Sequence, residues 1–146
     1  MTSQTRDREV ESRLRARDVR YTSGRKRVVA ALASAHGPRS AAELNAELLP
    51  DVPLSSLYRT LAVLEDAGIV SPHFGARGVT RYELAEWLRG HHHHLICVDC
   101  GSVDDVAVPS DLETEVRRLV DDIGMLAEFA PVNHALEIEG RCARCA

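Results

Sequence analysis

Two Cys-x-x-Cys pairs, one in the second half of the chain and one at its end, restrict the fold more than any other feature. Cys97 and Cys100 form the first pair, and Cys142 and Cys145 form the second. Four thiolates at this spacing suit one tetrahedral Zn(II) ion in a closed structural site, with two ligands from each pair. The two pairs therefore indicate a metal site before any other function.

The same cysteines allow two other interpretations. Structural disulfides require an oxidising compartment, and the first residues, Met1 to Asp7, lack the apolar stretch of a secretory signal. A thioredoxin-like redox site would use one Cys-x-x-Cys pair beside a βαβ pattern, whereas this chain has two pairs. We therefore expect structural zinc and a reducing, cytoplasmic location.

Charge is distributed unevenly along the 146 residues. Residues 1–60 contain 11 Lys and Arg against 7 Asp and Glu, a net charge of +4, while residues 61–146 contain 7 against 15, a net charge of −8. A basic half suits a surface that contacts phosphates, and an acidic half can hold cations. No stretch approaches the roughly 20 apolar residues that span a membrane, so we expect no membrane partner.

The basic half has the pattern of a winged helix. Helical periodicity predicts four helices over about 7–18, 23–35, 40–49 and 55–67. Thr22 or Ser23 would cap the second helix, residues 40–43 form a capping box for the third, and Ser55 or Ser56 would cap the fourth. Two strands, 69–74 and 79–84, follow around a glycine-bounded turn. A bundle of helices followed by a hairpin predicts a winged helix-turn-helix domain.

The fourth helix and the hairpin carry the candidate DNA-contacting residues. The first turns of a recognition helix enter the major groove, where Arg59 could bind guanine in bidentate fashion and Tyr58 could touch a thymine methyl group or a phosphate. Arg77, at the tip of the hairpin, could approach backbone phosphates. Ser56 and Arg20 complete this predicted DNA-contacting set. The alternative is that these are ordinary solvated or half-buried side chains.

Several motifs along the chain are shared with one known family. They are Arg20 to Arg25, Ser56 to Leu61, Leu64 to Val70, Tyr82 to Leu84, His94 to Gly101, and Asn133 with His134. Together they resemble the ferric uptake regulator (Fur) family of bacterial metal-responsive repressors. The resemblance implies an α+β fold with three parts: an N-terminal winged helix-turn-helix over 1–84, a hinge at 85–90, and a small α/β dimerisation domain over 91–146.

The acidic half supports this domain plan independently. Residues 93–98, 103–108 and 134–140 have strand character. Residues 110–113 have the pattern of a second capping box, which would begin a helix through about Asp122 that Gly124 ends. One helix is too small to cover both faces of this sheet, so we expect a homodimer.

The four consecutive histidines at 91–94 can serve two sites. In a strand, successive side chains point to opposite faces, so alternate histidines would face opposite ways. Resemblance to the family implies a regulatory metal site at the hinge, formed by Glu83, His92, His94 and Asp105. It implies a second site inside the dimerisation domain, formed by His91, His93, Glu113 and His134.

Some of these residues have simpler interpretations. Glu113 could be only the glutamate of a capping box, and Asp105 a solvated carboxylate at a sheet edge. His73, in the first wing strand, is not included in either ligand set. Relatives often place a histidine of the DNA-binding domain just before the third helix, where residues 38–39 of this chain are proline and arginine. His36 is the nearest candidate to replace it.

These expectations describe a metal-dependent repressor that binds operator DNA and controls metal-homeostasis genes. Because the cysteines are assigned to structural zinc, the regulatory site offers nitrogen and oxygen donors, which suit Fe(II) or Mn(II) and permit Zn(II) or Ni(II). Glu83 stands where peroxide-sensing relatives usually have aspartate, which favours Fe(II). A zinc-stabilised metal buffer or adaptor without DNA binding is the alternative from another class. Neither a His-Glu-x-x-His motif nor the His-x-Glu of zinc deaminases is present, so we expect no enzyme and no small organic substrate.

Overall fold

The computed structural model describes residues 1–146, with every side chain except that of Ala76. Its α-helices are Ser3–Arg15 (α1), Ser23–Ser34 (α2), Ala41–Leu48 (α3), Leu54–Asp66 (α4), Glu86–Arg89 (α5) and Ser110–Leu126 (α6). Its strands are Arg39–Ser40 (β1), Val70–Phe74 (β2), Thr80–Leu84 (β3), His93–Cys97 (β4), Val103–Val106 (β5) and Glu137–Gly140 (β6). Among these described residues, no helix combines the length and apolarity needed to cross a membrane.

The N-terminal part is the predicted winged helix-turn-helix. Helices α1 to α4 pack around one apolar core and are followed by an antiparallel sheet in the order β1-β3-β2. Sequence caps begin two of the helices as expected: Thr22 accepts from the Arg25 N–H at the start of α2, and Ser40 and Glu43 form a reciprocal capping box at the start of α3. The fully buried side chains of this core include Val10, Leu14, Val28, Val29, Leu32, Leu44, Leu57, Leu61, Leu64 and Ile69.

Helix α4 begins earlier than predicted, so the assignment of Ser55 or Ser56 as its cap is wrong. The carbonyl of Pro53 already accepts the first helical hydrogen bond, from the Leu57 N–H at 2.9 Å. Pro53 has φ −62°, a value its ring fixes and that leads into a helix. Ser56 is consequently exposed on the first turn of the helix, where it can face a ligand.

The C-terminal part is a three-stranded sheet with one long helix. The strand order is β5-β4-β6, in which β4 is antiparallel to β5 and parallel to β6. Strand β6 covers only the end of the predicted 134–140 segment. In helix α6 the only buried residue is Gly124, while Leu119, Ile123 and Leu126 are 55–88% exposed. The helix therefore offers an apolar face that this single chain does not cover.

Two predicted features of α6 are wrong. Ser110 is the first residue of the helix, with Pro109 before it, so residues 110–113 do not form a capping box. Gly124 lies inside the helix and does not end it. A Cβ atom at this position would lie 2.7 Å from the carbonyl oxygen of Phe129 and from the ring of Pro131. The glycine is needed because the returning chain crosses the helix here.

Several contacts join the two parts around the short helix α5, which lies inside the predicted hinge at 85–90. Arg89 donates to the carbonyls of Leu32 at 3.1 Å and Ala35 at 2.8 Å, and its guanidinium also pairs with Asp105. The Asp105 N–H donates to the His36 carbonyl at 2.9 Å. These bonds connect the C-terminal end of α2 to β5 directly.

Candidate metal centres and DNA-binding surface

The four cysteines converge as their spacing predicts. Cys97 and Cys100 lie at the end of β4 and in the following turn, and Cys142 and Cys145 lie in the turn after β6. Their sulfur atoms all lie within 4.8 Å of one another, and Cys100 Sγ is 3.8 Å from Cys142 Sγ. Zn–S bonds of 2.3 Å place the sulfurs of a tetrahedral site about 3.8 Å apart. The arrangement therefore fits one zinc ion.

Local hydrogen bonds prepare one of these thiols to bind a metal. Backbone N–H groups of Cys100 and Cys142 lower the pKa of Cys97 to about 6. A thiolate is the form that coordinates a metal, so this environment favours the ligating state at neutral pH.

The hinge cluster joins the two parts of the molecule. Glu83 lies on β3 of the winged helix, whereas His92, His94 and Asp105 lie in the C-terminal part. Glu83 Oε2 is 2.8 Å from His92 Nε2 and 3.3 Å from His94 Nε2. Asp105 Oδ1 completes the group, 3.7 Å from His92 Nε2 and 3.6 Å from His94 Nε2.

The electrostatics of this cluster are those of an ionised carboxylate held by imidazoles. Burial alone would raise the pKa of Glu83, but hydrogen bonds from His73, His94 and His92 outweigh it and hold that pKa far below its usual value. Burial also opposes the charged form of His92, yet its bonds to the Gly90 carbonyl and to Glu83 raise the pKa of His92 above 6.5. Protons and a metal ion would therefore compete for the same nitrogen atoms.

The second cluster lies between β4, α6 and the segment before β6. Its members are His91, His93, Glu113 and His134. Glu113 Oε1 is 3.2 Å from His91 Nε2 and 3.0 Å from His134 Nε2, and Glu113 Oε2 is 2.8 Å from His93 Nε2. Hydrogen bonding from His93 holds the pKa of Glu113 below its usual value. Alternate histidines of the run do point to different clusters.

Unpaired polar atoms indicate that these two clusters suit a cation. Asp105 Oδ1 and Glu113 Oε1 are buried and accept no hydrogen bond of good geometry, a state that costs free energy unless something else binds the atom. Donors 2.0–2.2 Å from a tetrahedral ion stand about 3.3–3.6 Å apart. The carboxylate–imidazole separations are 2.8–3.7 Å in the hinge cluster and 2.8–3.2 Å in the second cluster, so small side-chain shifts would admit an ion. Nitrogen and carboxylate donors of this kind suit divalent transition metals.

The structure also shows which of the remaining candidate residues lie beside the metal clusters and which do not. The His36 side chain is exposed and belongs to none of the donor clusters among the described residues. His73, left out of the sequence-based ligand sets, donates to Glu83 Oε1 at 2.5 Å. Glu86, which the sequence analysis missed, lies 2.5 Å from His91 Nδ1. A carboxylate on the far nitrogen of a ligand histidine is a common orienting partner, and sequence spacing gives no signal for it.

The predicted DNA-contacting residues occupy different environments. Ser56, Tyr58 and Arg59 are exposed together on the first turns of α4, and Tyr58 is 53% exposed. Arg20 is exposed before α2, where its carbonyl accepts a bond from Arg25. Arg77 is exposed in the wing, but its guanidinium donates to the Asp99 carbonyl beside the cysteine cluster. In this conformation Arg77 is turned toward the C-terminal part.

The fold and these clusters define a winged-helix DNA-binding protein with several candidate metal centres. Residues 16–139 match the model of the ferric uptake regulator family. The chain therefore belongs to that family, whose members are metal-responsive transcription regulators and not enzymes.

Individual relatives show how far the likeness extends. The chain is 34% identical over 100 residues to the ferric uptake regulation protein of Bacillus subtilis, covering 68% of this chain and 64% of that protein, slightly less than two thirds of it. It is 30% identical over 135 residues to the peroxide-responsive repressor PerR of Staphylococcus aureus, covering 90% of this chain and 86% of the repressor. It is similar to the structure of Helicobacter pylori Fur, with a TM-score of 0.79 and 22% identity over 99% of this chain and 94% of that one.

Proposed function

We propose that this chain is a metal-dependent homodimeric repressor that binds operator DNA and controls metal-homeostasis genes. The observation that carries the proposal is the position of Glu83. Its carboxylate belongs to the winged helix and lies 2.8 Å from His92 Nε2 of the other part. A divalent cation supplies the positive charge that links donors from both parts. Donors that meet only when the two parts are correctly packed can convert metal binding into a fixed orientation of α4.

The proposed domain plan is a DNA-binding domain over 1–84, a hinge at 85–90 and a dimerisation domain over 91–146. Glu83 lies at the end of the first domain, and the histidine run begins the third, so the hinge donors flank the connecting segment. In a dimer, fixing this segment sets the distance between the two α4 helices. That distance must match the spacing of DNA half-sites, about 34–36 Å or a multiple of it.

The uncovered face of α6 supports dimerisation. Leu112, Leu119, Ile123 and Leu126 recur at helical spacing and are 48–88% exposed. Val132, which follows the helix, is 99% exposed. An apolar face of this size on a small domain costs free energy in water, and a second copy of the same face covers it by twofold symmetry.

We propose Zn(II) for the cysteine cluster and Fe(II) for the hinge cluster. Oxygen and nitrogen donors without thiolate suit Fe(II) or Mn(II), and the same set permits Zn(II) or Ni(II). Since zinc and nickel bind most nitrogen and oxygen sites more tightly than iron does, affinity in a test tube does not identify the regulatory metal. The test is therefore DNA binding measured at buffered free concentrations of each metal.

The DNA-binding test compares the protein with chelator and with Fe(II) under anaerobic conditions. Gel-shift titrations should show tighter binding to operator DNA with metal, and equal affinity in chelator would contradict the proposal. Replacement of Tyr58 and Arg59 by alanine should weaken specific binding by about 1–3 kcal/mol per base contact. If the protein were only a metal buffer, neither the wild type nor the Tyr58 and Arg59 variant would bind operator DNA specifically, and both would bind metal with the same affinity.

A further inference from the structure

His73 on β2 lies beside the hinge cluster and has a donor environment of its own. Its Nε2 donates to Glu83 Oε1 at 2.5 Å, and its Nδ1 is 3.7 Å from Glu137 Oε1. The His73 and His94 rings meet edge to face, with centroids 4.4 Å apart. Donor atoms of His73, His94 and Glu137 all lie within 4.8 Å of one another. Because β2 belongs to the winged helix and β6 to the C-terminal part, this group also spans the interface.

The distances favour an ion between His73 and Glu137. A separation of 3.7 Å is too long for a direct hydrogen bond, but it is close to the roughly 3.3–3.6 Å between two donors of one tetrahedral ion. A neutral imidazole that donates from Nε2 to Glu83 has its Nδ1 lone pair free. Ligand histidines commonly donate their other N–H to a carboxylate, as His73 does.

The charges around His73 also favour a cation. Glu83, Glu137 and Asp105 bring three carboxylates to this side of the interface, and the guanidinium of Arg89 pairs with Asp105. Two negative charges then face the rings of His73 and His94. A protonated His73 bridging Glu83 and Glu137 would balance part of this charge without any metal, so an experiment must separate the two arrangements.

We propose that His73, His94 and Glu137 bind an additional divalent cation next to the hinge site. The proposal rests on the proposed hinge site, since Glu83 directs Oε2 toward His92 and His94 and Oε1 toward His73. The additional ion is a divalent transition-metal cation of intermediate softness, such as Zn(II), Ni(II) or Co(II), which nitrogen and carboxylate donors bind well. It binds more weakly than the hinge ion, because His94 borders both positions and Glu137 is half exposed.

The test counts bound ions in single and double variants. Full-length protein that retains its structural zinc is dialysed against buffered Co(II), and bound cobalt is measured by mass spectrometry. We expect three exchangeable ions per subunit in the wild type, one each at the hinge cluster, at the second cluster around Glu113 and at the additional site. We expect two in each of His73→Ala, Glu137→Gln and His92→Ala. The double variant His73→Ala/His92→Ala should hold one, because its two substitutions affect different ions. Glu139→Gln, an exposed neighbour on the same strand, is the matched control and should hold three.

Two results would overturn the proposal. A His73→Ala variant that holds as many ions as the wild type would mean that His73 only bridges carboxylates as a cation. A double variant that holds as many ions as His92→Ala would mean that His73 and His92 serve one ion. Retained structural zinc and unchanged circular dichroism show that each variant is folded. Failure of the hinge proposal is distinguishable, because His92→Ala would then hold as many ions as the wild type while His73→Ala holds one fewer.

Discussion

Replacing Arg89 by alanine should destabilise the packing of the winged helix on the C-terminal domain. The side chain is 17% exposed and donates to two carbonyls at the end of α2 while pairing with Asp105. Hydrogen bonds to a charged group contribute about 1.5–3 kcal/mol each. The site is partly solvated, and water and neighbouring side chains can rearrange around the groups that Arg89 leaves behind. We therefore expect the free energy of unfolding to fall by about 3 kcal/mol, which is at the low end for removing one partner of a buried charged pair.

Urea unfolding measures this loss in protein that holds structural zinc but no regulatory metal. Trp87, the single tryptophan, is a suitable fluorescent probe because it lies in α5 and donates to the Gly68 carbonyl at 2.8 Å. Arg27→Ala is the matched control: Arg27 pairs with Asp51 at 3.0 Å, but both side chains are 56% exposed. An exposed pair contributes less than about 1 kcal/mol. Equal losses in the two variants would refute a structural role for Arg89.

Further outcomes follow from the site and the core. Because the pKa of His92 is raised, metal affinity measured by dialysis should fall as pH is lowered, and the fall should begin before pH reaches 6.5, since protons compete for the same nitrogen atom. By the same linkage, the stability that protonated His92 gives the metal-free protein is present below about pH 6.5 and lost as pH rises through the raised pKa, which a comparison of Tm with His92→Ala would show. Leu57→Ala, at a fully buried position, should cost about 2–5 kcal/mol in chemical denaturation, whereas Leu54→Ala, 45% exposed, should cost less than about 1. Cys142→Ser should release structural zinc, detected with a colorimetric chelator, and should reduce the helical and sheet content of the C-terminal domain.

Local sequence signals predicted the starts of α2 and α3, where a side chain caps the helix, but not the start of α1. Thr2 accepts from the Thr5 N–H, so α1 begins at Ser3 and not at about residue 7. Thr22 and Ser40 cap their helices as their positions indicate. At α4 and α6 a proline precedes the helix and its carbonyl accepts the first hydrogen bond, so the nearby serines do not cap. Patterns of polar residues identify candidate caps, but they do not show which backbone carbonyl accepts the first hydrogen bond of the helix.

The members of a candidate metal site could be predicted only where each chain segment that contributes a donor carries a recognisable motif. The cysteine pairs have fixed spacing, and the histidine run continues into the strand that separates its side chains into two groups. His73 has no such signal, because its position beside His94 depends on how the wing packs against the other domain. Within the wing, Glu83 is its diagonal neighbour across the β2–β3 pair, since His73 lies opposite Arg81. Sequence periodicity describes each domain separately and therefore contains no information about this contact.

The bonds made by Arg89 bear on how strongly metal can control DNA binding. A ligand shifts a conformational equilibrium only by its difference in affinity for the two states. Arg89 holds the two domains together without metal. The loss of about 3 kcal/mol expected for Arg89→Ala corresponds to roughly a 100-fold change in the equilibrium between the packed and separated domains. We therefore expect Arg89→Ala to weaken operator binding far more in chelator than with saturating metal, in gel shifts of both forms. If the variant loses affinity equally in both conditions, the contact stabilises the fold without taking part in the metal response.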